Sequence, residues 1–259
     1  MTLSGKTALV TGAGRDIGKG CAVELACAGA DIVLNDRPES PDIESAAEEI
    51  RSLGRKCHVI TADVFSRTGC EQLVGAALKA VPKIDILISN PAFSRRGAFL
   101  DYPPELFEET IRGTLTSGYH LSQLVARHMV ERADGGKIVF ISSVQAQIPS
   151  ALCFAYGAAK AGLNHMMRSI AVELSDYRIN VNAIEPGCNP SPVDGFFEPH
   201  VQLGQEVRTG TVLGTVVPMK DDSSHLIKCR HTGVVLMLRT FPRVRAGESV
   251  GVVLETDVA

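Results

Sequence analysis

A tyrosine, a lysine and a serine stand at spacings that suit proton transfer to or from an alcohol oxygen. Tyr156 and Lys160 are four residues apart, so on a helix they would be neighbours on one face. A phenol with a pKa of about 10 is a poor base at neutral pH, but a nearby ammonium stabilises the phenolate and lowers that pKa. Ser143 lies 13 residues upstream of Tyr156, where its hydroxyl could hold the same substrate oxygen. These residues predict acid–base catalysis on an alcohol or carbonyl; an exposed Tyr/Lys pair is the alternative.

A glycine-containing turn near the amino terminus predicts a dinucleotide site. The segment Thr11–Gly18 reads T-G-A-G-R-D-I-G and separates an apolar run from a helical pattern. Such glycines let the backbone turn sharply beside a pyrophosphate, and N–H groups at the start of the following helix face its charge. Asp36 ends the second apolar run, where a carboxylate could accept hydrogen bonds from ribose hydroxyls. Asp63 follows the third run; solvated loop carboxylates are the alternative for both aspartates.

Asp36 also bears on the choice of cofactor. A carboxylate repels the 2′-phosphate of NADP, so the sequence predicts NAD. Arg15 and Arg37 are close in the sequence and could attract that phosphate, so NADP stays open.

Alternating apolar runs and amphipathic stretches must position these groups, and they predict an α/β fold. The runs are mostly apolar on both faces, as expected for strands of a buried parallel sheet. The predicted strands are Thr7–Thr11, Asp31–Asn35, Lys56–Thr61, Ile84–Ser89, Lys137–Ser142 and Asn180–Ile184. The predicted helices are Ile17–Ala28, Ile43–Leu53, Cys70–Ala80, Pro104–Arg132 and Tyr156–Leu174. This alternation gives a Rossmann-like, doubly wound parallel sheet of six strands.

The composition changes after Pro192. The first 192 residues contain 24 alanines, whereas the last 67 contain 2 alanines and 13 valines. The Val-rich runs Thr211–Val217 and Gly233–Arg239, with glycines around them, predict short strands. The proline-containing segment Cys188–Asp194 would separate a domain of residues 1–190 from a small all-β unit of residues 194–259.

The order of the motifs up to about residue 192 resembles the short-chain dehydrogenase/reductase family. The matching segments are Thr11–Gly18, Asp36, Asp63-Val64, Ser89–Ala92, Ser142-Ser143, Tyr156, Lys160 and Glu185–Gly187. The resemblance implies NAD(P)-dependent interconversion of a small alcohol and a carbonyl. In this family pattern Ser143 and Tyr156 would bind the substrate oxygen, and Lys160 would tune the tyrosine and bind the nicotinamide ribose. The implied cofactor-binding residues are Gly12, Arg15, Ile17, Gly18, Asp36, Asp63, Val64, Asn90, Tyr156, Lys160 and Gly187.

Three departures from the family pattern raise a second hypothesis. Asp16 replaces the middle glycine of the turn, and a carboxylate about 5 Å from a phosphate costs roughly 1–3 kcal/mol. Arg15 could offset part of this cost, or Asp16 could cap the helix. Thr114 stands where the family has a proton-relay asparagine; a hydroxyl can hold a water but cannot copy an amide. The family's substrate-lid helices and seventh strand are not found, so the alternative function is a catalytically impaired dinucleotide-binding scaffold with a fused β module.

The tail, about residues 194–256, resembles the C-terminal β module of the succinylglutamate desuccinylase/aspartoacylase family. The likeness lies in Gly195–Pro199, Val207–Gly214, Thr232–Leu236 and Ala246-Gly247, and it implies a barrel-sandwich unit. It implies no deacylase activity, because that module does not carry the family's zinc ligands. Biotinyl and lipoyl carrier domains share the architecture, but the residues flanking Lys220 do not favour a carrier lysine.

No metal site is predicted. His128 and Glu131 form an H-x-x-E pattern, which we interpret as a surface pair. His225, Cys229 and His231 are close in sequence, and we interpret them as single residues of a β hairpin.

The composition argues against several classes of protein. A net charge of −3, no tryptophan and 5% aromatic residues argue against nucleic-acid binding. No apolar run approaches the roughly 18–20 residues of a membrane span, and the first residues lack the plan of a secretory signal. Seven scattered cysteines without a C-x-x-C motif predict reduced thiols. We therefore expect a cytoplasmic protein without nucleic-acid or membrane partners.

We also expect a homodimer. The segment Pro104–Arg132 and the helix from Tyr156 resemble the helices that family members pair across a dimer interface.

Overall fold

The chain divides into two compact units, Met1–Ile184 and Glu185–Ala259. The computed structural model describes residues 2–190, 193, 195–218, 223–238, 243–244 and 249–255. The division precedes the segment that we predicted as the boundary, because Gly187–Pro190 forms a strand that pairs within the second unit.

A parallel sheet of six strands forms the centre of the first unit. The strands are β1 (Thr7–Val10), β2 (Asp31–Leu34), β3 (Cys57–Val59), β4 (Ile86–Ser89), β5 (Gly136–Ile141) and β6 (Ile179–Ile184). They lie in the order β3-β2-β1-β4-β5-β6, and every neighbouring pair is parallel. Each predicted strand is present, and no end differs from its predicted position by more than two residues. The predicted Rossmann-like α/β fold is therefore confirmed.

Helices cover both faces of this sheet. They are α1 (Asp16–Cys27), α2 (Ile43–Ser52), α3 (Arg67–Ala80), α4 (Pro104–Ile111), α5 (Ser117–Arg132) and α6 (Phe154–Leu174). Successive residues of a strand point to opposite faces, so Leu9 of β1 belongs to one buried cluster and Ala8 and Val10 belong to another. Because both faces are buried, the strands read as continuous apolar runs.

The predicted helix Pro104–Arg132 is present, and its hydrogen-bond pattern changes locally in the middle. The five-residue π-helical segment Arg112–Thr116 separates α4 from α5. Gly113 lies in this segment, and a Cβ there would be 2.8 Å from Cβ of Phe93 and 2.9 Å from the ring of Phe65. The missing side chain therefore lets the segment pack closely against the loop that follows β4. Such local widening of a helix is frequent at functional sites.

The order of the strands reverses between β1 and β4, which leaves a crevice at the carboxyl edge of the sheet. In open α/β sheets, ligands bind at this position. The glycine turn follows β1, Asn90 follows β4 and Ser143 follows β5, so all three lie at the same edge.

Two small antiparallel sheets form the second unit. Its strands are β7 (Gly187–Pro190), β8 (Gly195–Pro199), β9 (Glu206–Val207), β10 (Val212–Pro218), β11 (His225–Lys228), β12 (Gly233–Leu238), β13 (Arg243–Val244) and β14 (Ser249–Glu255). The sheet orders are β11-β10-β8-β13 and β7-β14-β12-β9. The two Val-rich runs correspond to β10 and β12, whereas Ala246, Gly247 and Lys220 lie outside the described residues. The barrel-sandwich arrangement stays a prediction.

Candidate active site

The turn after β1 is tied to the end of β4. The side-chain amide of Asn90 donates from Nδ2 to the carbonyl oxygen of Gly12 at 3.1 Å, and its backbone N–H donates to Oγ1 of Thr11 at 3.1 Å. Gly12 has a φ of +59°, a conformation that a residue without Cβ adopts freely. A Cβ on Gly18 would lie 2.1 Å from the Gly12 carbonyl oxygen, so α1 starts in direct contact with the turn. Asn90 therefore positions the segment that we predict to face the pyrophosphate.

Hydrogen bonds hold the carboxylate of Asp36 beside this turn. Its Oδ2 accepts from the backbone N–H of Gly14 and from Oγ of Ser40, each at 3.0 Å. Its Oδ1 accepts from the backbone N–H of Arg37 at 2.8 Å, while the side chain of Arg37 is exposed. The carboxylate thus has a fixed orientation at the carboxyl end of β2.

Asn35 is a residue that the sequence analysis missed. It is 1% exposed, and its Nδ2 donates to the carbonyl oxygens of Asp36, Ile60 and Ala62 at 3.0–3.3 Å. Its own carbonyl oxygen accepts from the N–H of Ala13. One side chain therefore joins the loops after β2 and β3 to each other. A polar residue at the end of an apolar run was the signal that could have identified it.

Asp63 and Val64 occupy different environments in the loop after β3. Asp63 is exposed, and its Oδ1 accepts from the N–H of Phe65 at 3.0 Å, which fixes the loop. Val64 is buried in the core cluster that includes Leu73 and Val74 of α3. Asp63 is therefore accessible to a ligand, whereas the side chain of Val64 serves packing.

Asp16 adopts an unusual backbone conformation. Its φ is +51°, in the left-handed region that favours glycine. The N-cap residue of α1 is Arg15, whose side chain makes no capping hydrogen bond with any described residue, so Asp16 is the first helical residue and not the cap. The Arg15 and Asp16 side chains are both largely exposed and form an ion pair at 3.6 Å. Ile17 packs against the core from the same turn of α1.

The α6 helix carries Tyr156 and Lys160 one turn apart. Lys160 is 1% exposed, and its Nζ donates to the carbonyl oxygen of Ile141 at 2.5 Å. The same nitrogen lies 5.4 Å from the ring centroid of Tyr156, which is partly buried. Burial lowers the pKa of Lys160 from 10.5 to about 7, because the charged form loses hydration. The tyrosine and lysine are therefore a packed pair and not an exposed one.

Ser143 is placed by a short 3₁₀ turn, Val144–Ala146, that follows β5. Its Oγ accepts from the N–H of Gln145 at 3.2 Å, and this is its one hydrogen bond to the described residues. The hydroxyl proton therefore has no protein acceptor in this part of the chain. The neighbouring Ser142 is buried, and its Oγ donates to the Lys160 carbonyl oxygen at 3.5 Å, so it braces α6.

Thr114 is bound to the loop after β4. Its Oγ1 accepts from the N–H of Phe93 at 3.1 Å and donates to the carbonyl oxygen of Phe93 at 3.0 Å. Thr114 is 1% exposed, and the single proton of its hydroxyl is engaged in the second of these bonds. Thr114 therefore fastens the π-helical segment to the loop that begins at Asn90. Whether it relays a proton stays a prediction.

Gly187 belongs to the second unit, where it pairs with Val253 of β14. The other predicted site residues lie in the first unit.

The remaining sequence signals do not form a cluster. Within the described ranges, no group of three or more His, Cys, Asp or Glu side chains could hold a metal ion. His128 accepts a hydrogen bond from the N–H of Ile84 at 3.3 Å, and burial lowers its pKa. No helix in the described part of the chain has the length and hydropathy needed to span a bilayer.

A parallel sheet ordered 3-2-1-4-5-6, with a glycine turn after its first strand, defines a dinucleotide-binding α/β protein. Residues 6–200 match the model of the short chain dehydrogenase family, and the chain belongs to that family. L-rhamnose 1-dehydrogenase (NAD(P)(+)) from Azotobacter vinelandii is 37% identical over 72% of this chain and 74% of its own length. 7alpha-hydroxysteroid dehydrogenase from Escherichia coli K12 is 34% identical over 73% of this chain and 72% of its own.

Solved structures of dehydrogenases are also similar to this chain. Carveol dehydrogenase from Mycobacterium avium, in complex with NAD, has a TM-score of 0.68 and 29% identity, and the match covers 71% of each chain. The predictions of a short-chain dehydrogenase-type oxidoreductase and of a nicotinamide cofactor are confirmed at this level.

Proposed function

We propose that the chain interconverts a small alcohol and its carbonyl compound by NAD-dependent hydride transfer at a site formed by Ser143, Tyr156 and Lys160. The burial of Lys160 against Tyr156 carries this proposal. An ammonium group that served only solubility would stay hydrated, whereas this one is buried with one backbone acceptor and an aromatic neighbour. Buried, perturbed lysines cluster at functional sites.

The hydrogen bond of Ser143 supports the following proton path. The Ser143 hydroxyl donates to the substrate oxygen, because its own oxygen already accepts from Gln145. The Tyr156 phenolate takes the O–H proton during oxidation, and the phenol returns it during reduction. When bound, the nicotinamide ring would accept the hydride that leaves the alcohol carbon during oxidation and supply the hydride that joins the carbonyl carbon during reduction.

Lys160 acts through charge. In its protonated form it lies close enough to the Tyr156 ring to favour the phenolate. The carbonyl of Ile141 holds the ammonium in place, and Ser142 braces the same turn of α6. We assign Thr114 a positioning role, because its proton is bound to Phe93.

The first unit fits a dinucleotide. The Arg15 side chain gives α1 no cap within the described chain, so the first-turn N–H groups suit a pyrophosphate. Gly12 and Gly18 would let the backbone approach the pyrophosphate closely. Asp36 and Asp63 would bind the adenosine part of the cofactor. Asp36 is held beside the turn by Gly14, where a 2′-phosphate would meet a negative charge, so we propose NAD over NADP.

Binding and turnover by the wild-type chain test this proposal. NADH titration by fluorescence is expected to show saturable binding, and a panel of secondary alcohols and ketones is expected to show NAD(H)-dependent turnover. NADH binding without any turnover would contradict the proposed enzymatic activity and support the second hypothesis, a catalytically impaired dinucleotide-binding scaffold. The Asp16 carboxylate at the turn is the observation that favours this second candidate.

Removing the charge of Asp16 is expected to tighten NADH binding. Asp16→Gly should lower the Kd about five- to a hundredfold, because an anionic neighbour of a phosphate costs roughly 1–3 kcal/mol. Asp16→Asn is the matched control, since asparagine tolerates a positive φ and has no charge. An equal gain in both variants assigns the effect to charge, and the gain should shrink in high salt. Unchanged affinity in both would contradict a phosphate at this turn.

We propose that the chain forms a homodimer through α5 and α6. A groove of about 600 Å³ lies between these helices, and its apolar lining includes Ala126, Val130, Met166, Ile170 and Leu174. Sedimentation of the wild type is expected to give a dimer, and Ile170→Glu is expected to give a monomer. Leu53→Glu, at an exposed position after α2, is the control. A monomeric wild type would contradict the proposal.

We keep the barrel-sandwich β module as a proposal for the tail. Leu213 of β10, Val235 of β12 and Val253 of β14 share one buried cluster, so the two sheets of the second unit have a common core.

A further inference from the structure

The backbone of Asn35 is bound to β1 and to the glycine turn. Its N–H donates to the carbonyl oxygen of Val10, the last residue of β1, at 2.9 Å. Its carbonyl oxygen accepts from the N–H of Ala13, inside the turn, at 2.9 Å. Asn35 is therefore fixed against the segment that we propose to face the pyrophosphate.

The side chain of Asn35 binds the two loops on its other side. Its Nδ2 donates to the carbonyl oxygen of Asp36 at 3.2 Å, in the loop after β2. The same nitrogen donates to the carbonyl oxygens of Ile60 at 3.0 Å and Ala62 at 3.3 Å, in the segment that leads to Asp63. Asn35 thus joins the three loops that carry the glycine turn, Asp36 and Asp63.

The amide of Asn35 is present at a cost to stability. The three residues before it, Ile32–Leu34, are buried and apolar, and Asn35 itself is 1% exposed. Its Oδ1 has almost no exposed surface and has no hydrogen-bond partner among the described residues. An unpaired buried oxygen is unfavourable, and such costs are found mainly beside functional sites. The donors of this amide are therefore expected to serve the neighbouring cofactor segments.

We propose that Asn35 is a positioning residue for the adenosine half of the cofactor. It holds the loops that carry Asp36 and Asp63 in one arrangement before the cofactor binds. Because Asn35 is buried, it acts through these loops and not by contact with the ligand. Loops that are already ordered need not lose conformational freedom on binding, so the affinity is higher. This inference rests on the proposed function, because it needs a dinucleotide at this edge of the sheet.

Asn35→Ala removes the side-chain bonds and keeps the backbone bonds to Val10 and Ala13. We expect the Kd for NADH to rise about tenfold, which corresponds to about one net hydrogen bond. AMP carries only the adenosine half, and its inhibition constant against NADH should rise by the same factor. The kcat and the KM for the alcohol, measured at saturating NAD, should stay within about twofold, because Ser143 and Tyr156 follow other strands. Weaker NADH binding with unchanged AMP binding would overturn the inference, as would unchanged binding of both.

Two control variants separate positioning from a general loss of stability. Asn182→Ala makes the same change at an exposed position of β6 and should keep both affinities. Ile179→Val removes one buried methylene at the start of β6, at the opposite edge of the sheet from β3. It should lower the Tm but leave AMP binding unchanged. An equal loss of AMP affinity in Ile179→Val would show that stability alone sets the affinity and would overturn the inference.

Hydrogen exchange of the wild-type chain without ligand tests the ordered loops directly, so it decides if Asn35→Ala does not fold. The N–H of Gly14 donates to Oδ2 of Asp36, and the N–H of Ala62 donates to the Asp36 carbonyl oxygen. Both are expected to exchange slowly before AMP is added. Exchange of both at the rate of a free peptide would overturn the inference. A wild type that binds NADH and AMP without turnover would contradict only the proposed reaction, whereas one that binds neither would overturn both.

Discussion

Tyr156→Phe is expected to lower kcat/KM on small alcohols and ketones by about 10²–10⁴-fold, the range that positioned acid–base groups contribute. Phenylalanine keeps the ring that packs 5.4 Å from Nζ of Lys160 and removes only the hydroxyl. The fold should therefore be retained, and the Kd for NADH should rise by less than roughly tenfold, because at most one hydrogen bond is lost. Steady-state kinetics and NADH fluorescence on the same samples separate the two effects.

The control makes the same change at a distance from the site. Tyr177 is exposed in the short 3₁₀ turn after α6, and Tyr177→Phe should keep wild-type kinetics. Full activity in Tyr156→Phe would show that another group moves the proton. Equal inactivity of wild type and variant, with NADH bound by both, would show that the chain is a binding scaffold.

Much of the candidate site could be predicted from the sequence because its parts are local. The spacing of Tyr156 and Lys160 has one geometric meaning on a helix, and α6 places them on one face. The turn around Gly12 and Gly18 depends on the backbone of a few successive residues. Runs of residues that are apolar on both faces identified all six strands of the parallel sheet.

The parts that could not be predicted depend on partners far away in the chain. Thr114 is engaged by Phe93, across the gap between two elements, and the π-helical segment that carries it has no periodicity of its own. The orientation of Asp36 depends on Gly14, and the three acceptors of Asn35 lie in two loops. The local sequence shows which residue stands at such a position, but it does not show which distant residue will be its hydrogen-bond partner.

The boundary between the two units could not be predicted for the same reason, because it depends on a distant partner strand. Glu185–Gly187 resembles the end of the dehydrogenase pattern in sequence, yet the strand that begins at Gly187 pairs with β14 near the end of the chain. The partner of such a strand lies far away in the sequence, and a local run of residues does not indicate which distant strand it will pair with.

The second large effect concerns the charge of Lys160, and it has opposite signs for activity and stability. Lys160→Met is expected to lower kcat/KM by about 10²-fold or more, because the ammonium that favours the Tyr156 phenolate is lost. The same variant is expected to be more stable than the wild type below pH 7. Methionine fills a similar volume and carries no charge that must be desolvated.

The pH dependence of that stability difference follows from the lowered pKa. Burial lowers the pKa of Lys160 from 10.5 to about 7, so between these values the unfolded chain binds a proton that the folded chain has lost. The free energy of unfolding of the wild type therefore rises across this window, and below pH 7 the full penalty of burying the charge is present. Lys160→Met should be more stable by about 2–4 kcal/mol at pH 6, with the lost hydrogen bond to Ile141 offsetting part of the gain.

Urea unfolding of both proteins at pH 6 and pH 9.5 measures this difference, which should shrink by at least half at the higher pH. Lys79→Met, at an exposed position near the end of α3, is the matched control and should change neither stability nor its pH dependence. A Lys160→Met variant that is less stable than the wild type at pH 6 would mean that the bond to Ile141 outweighs the cost of burial. The charge of Lys160 would then stabilise the fold, and its burial would no longer point to catalysis.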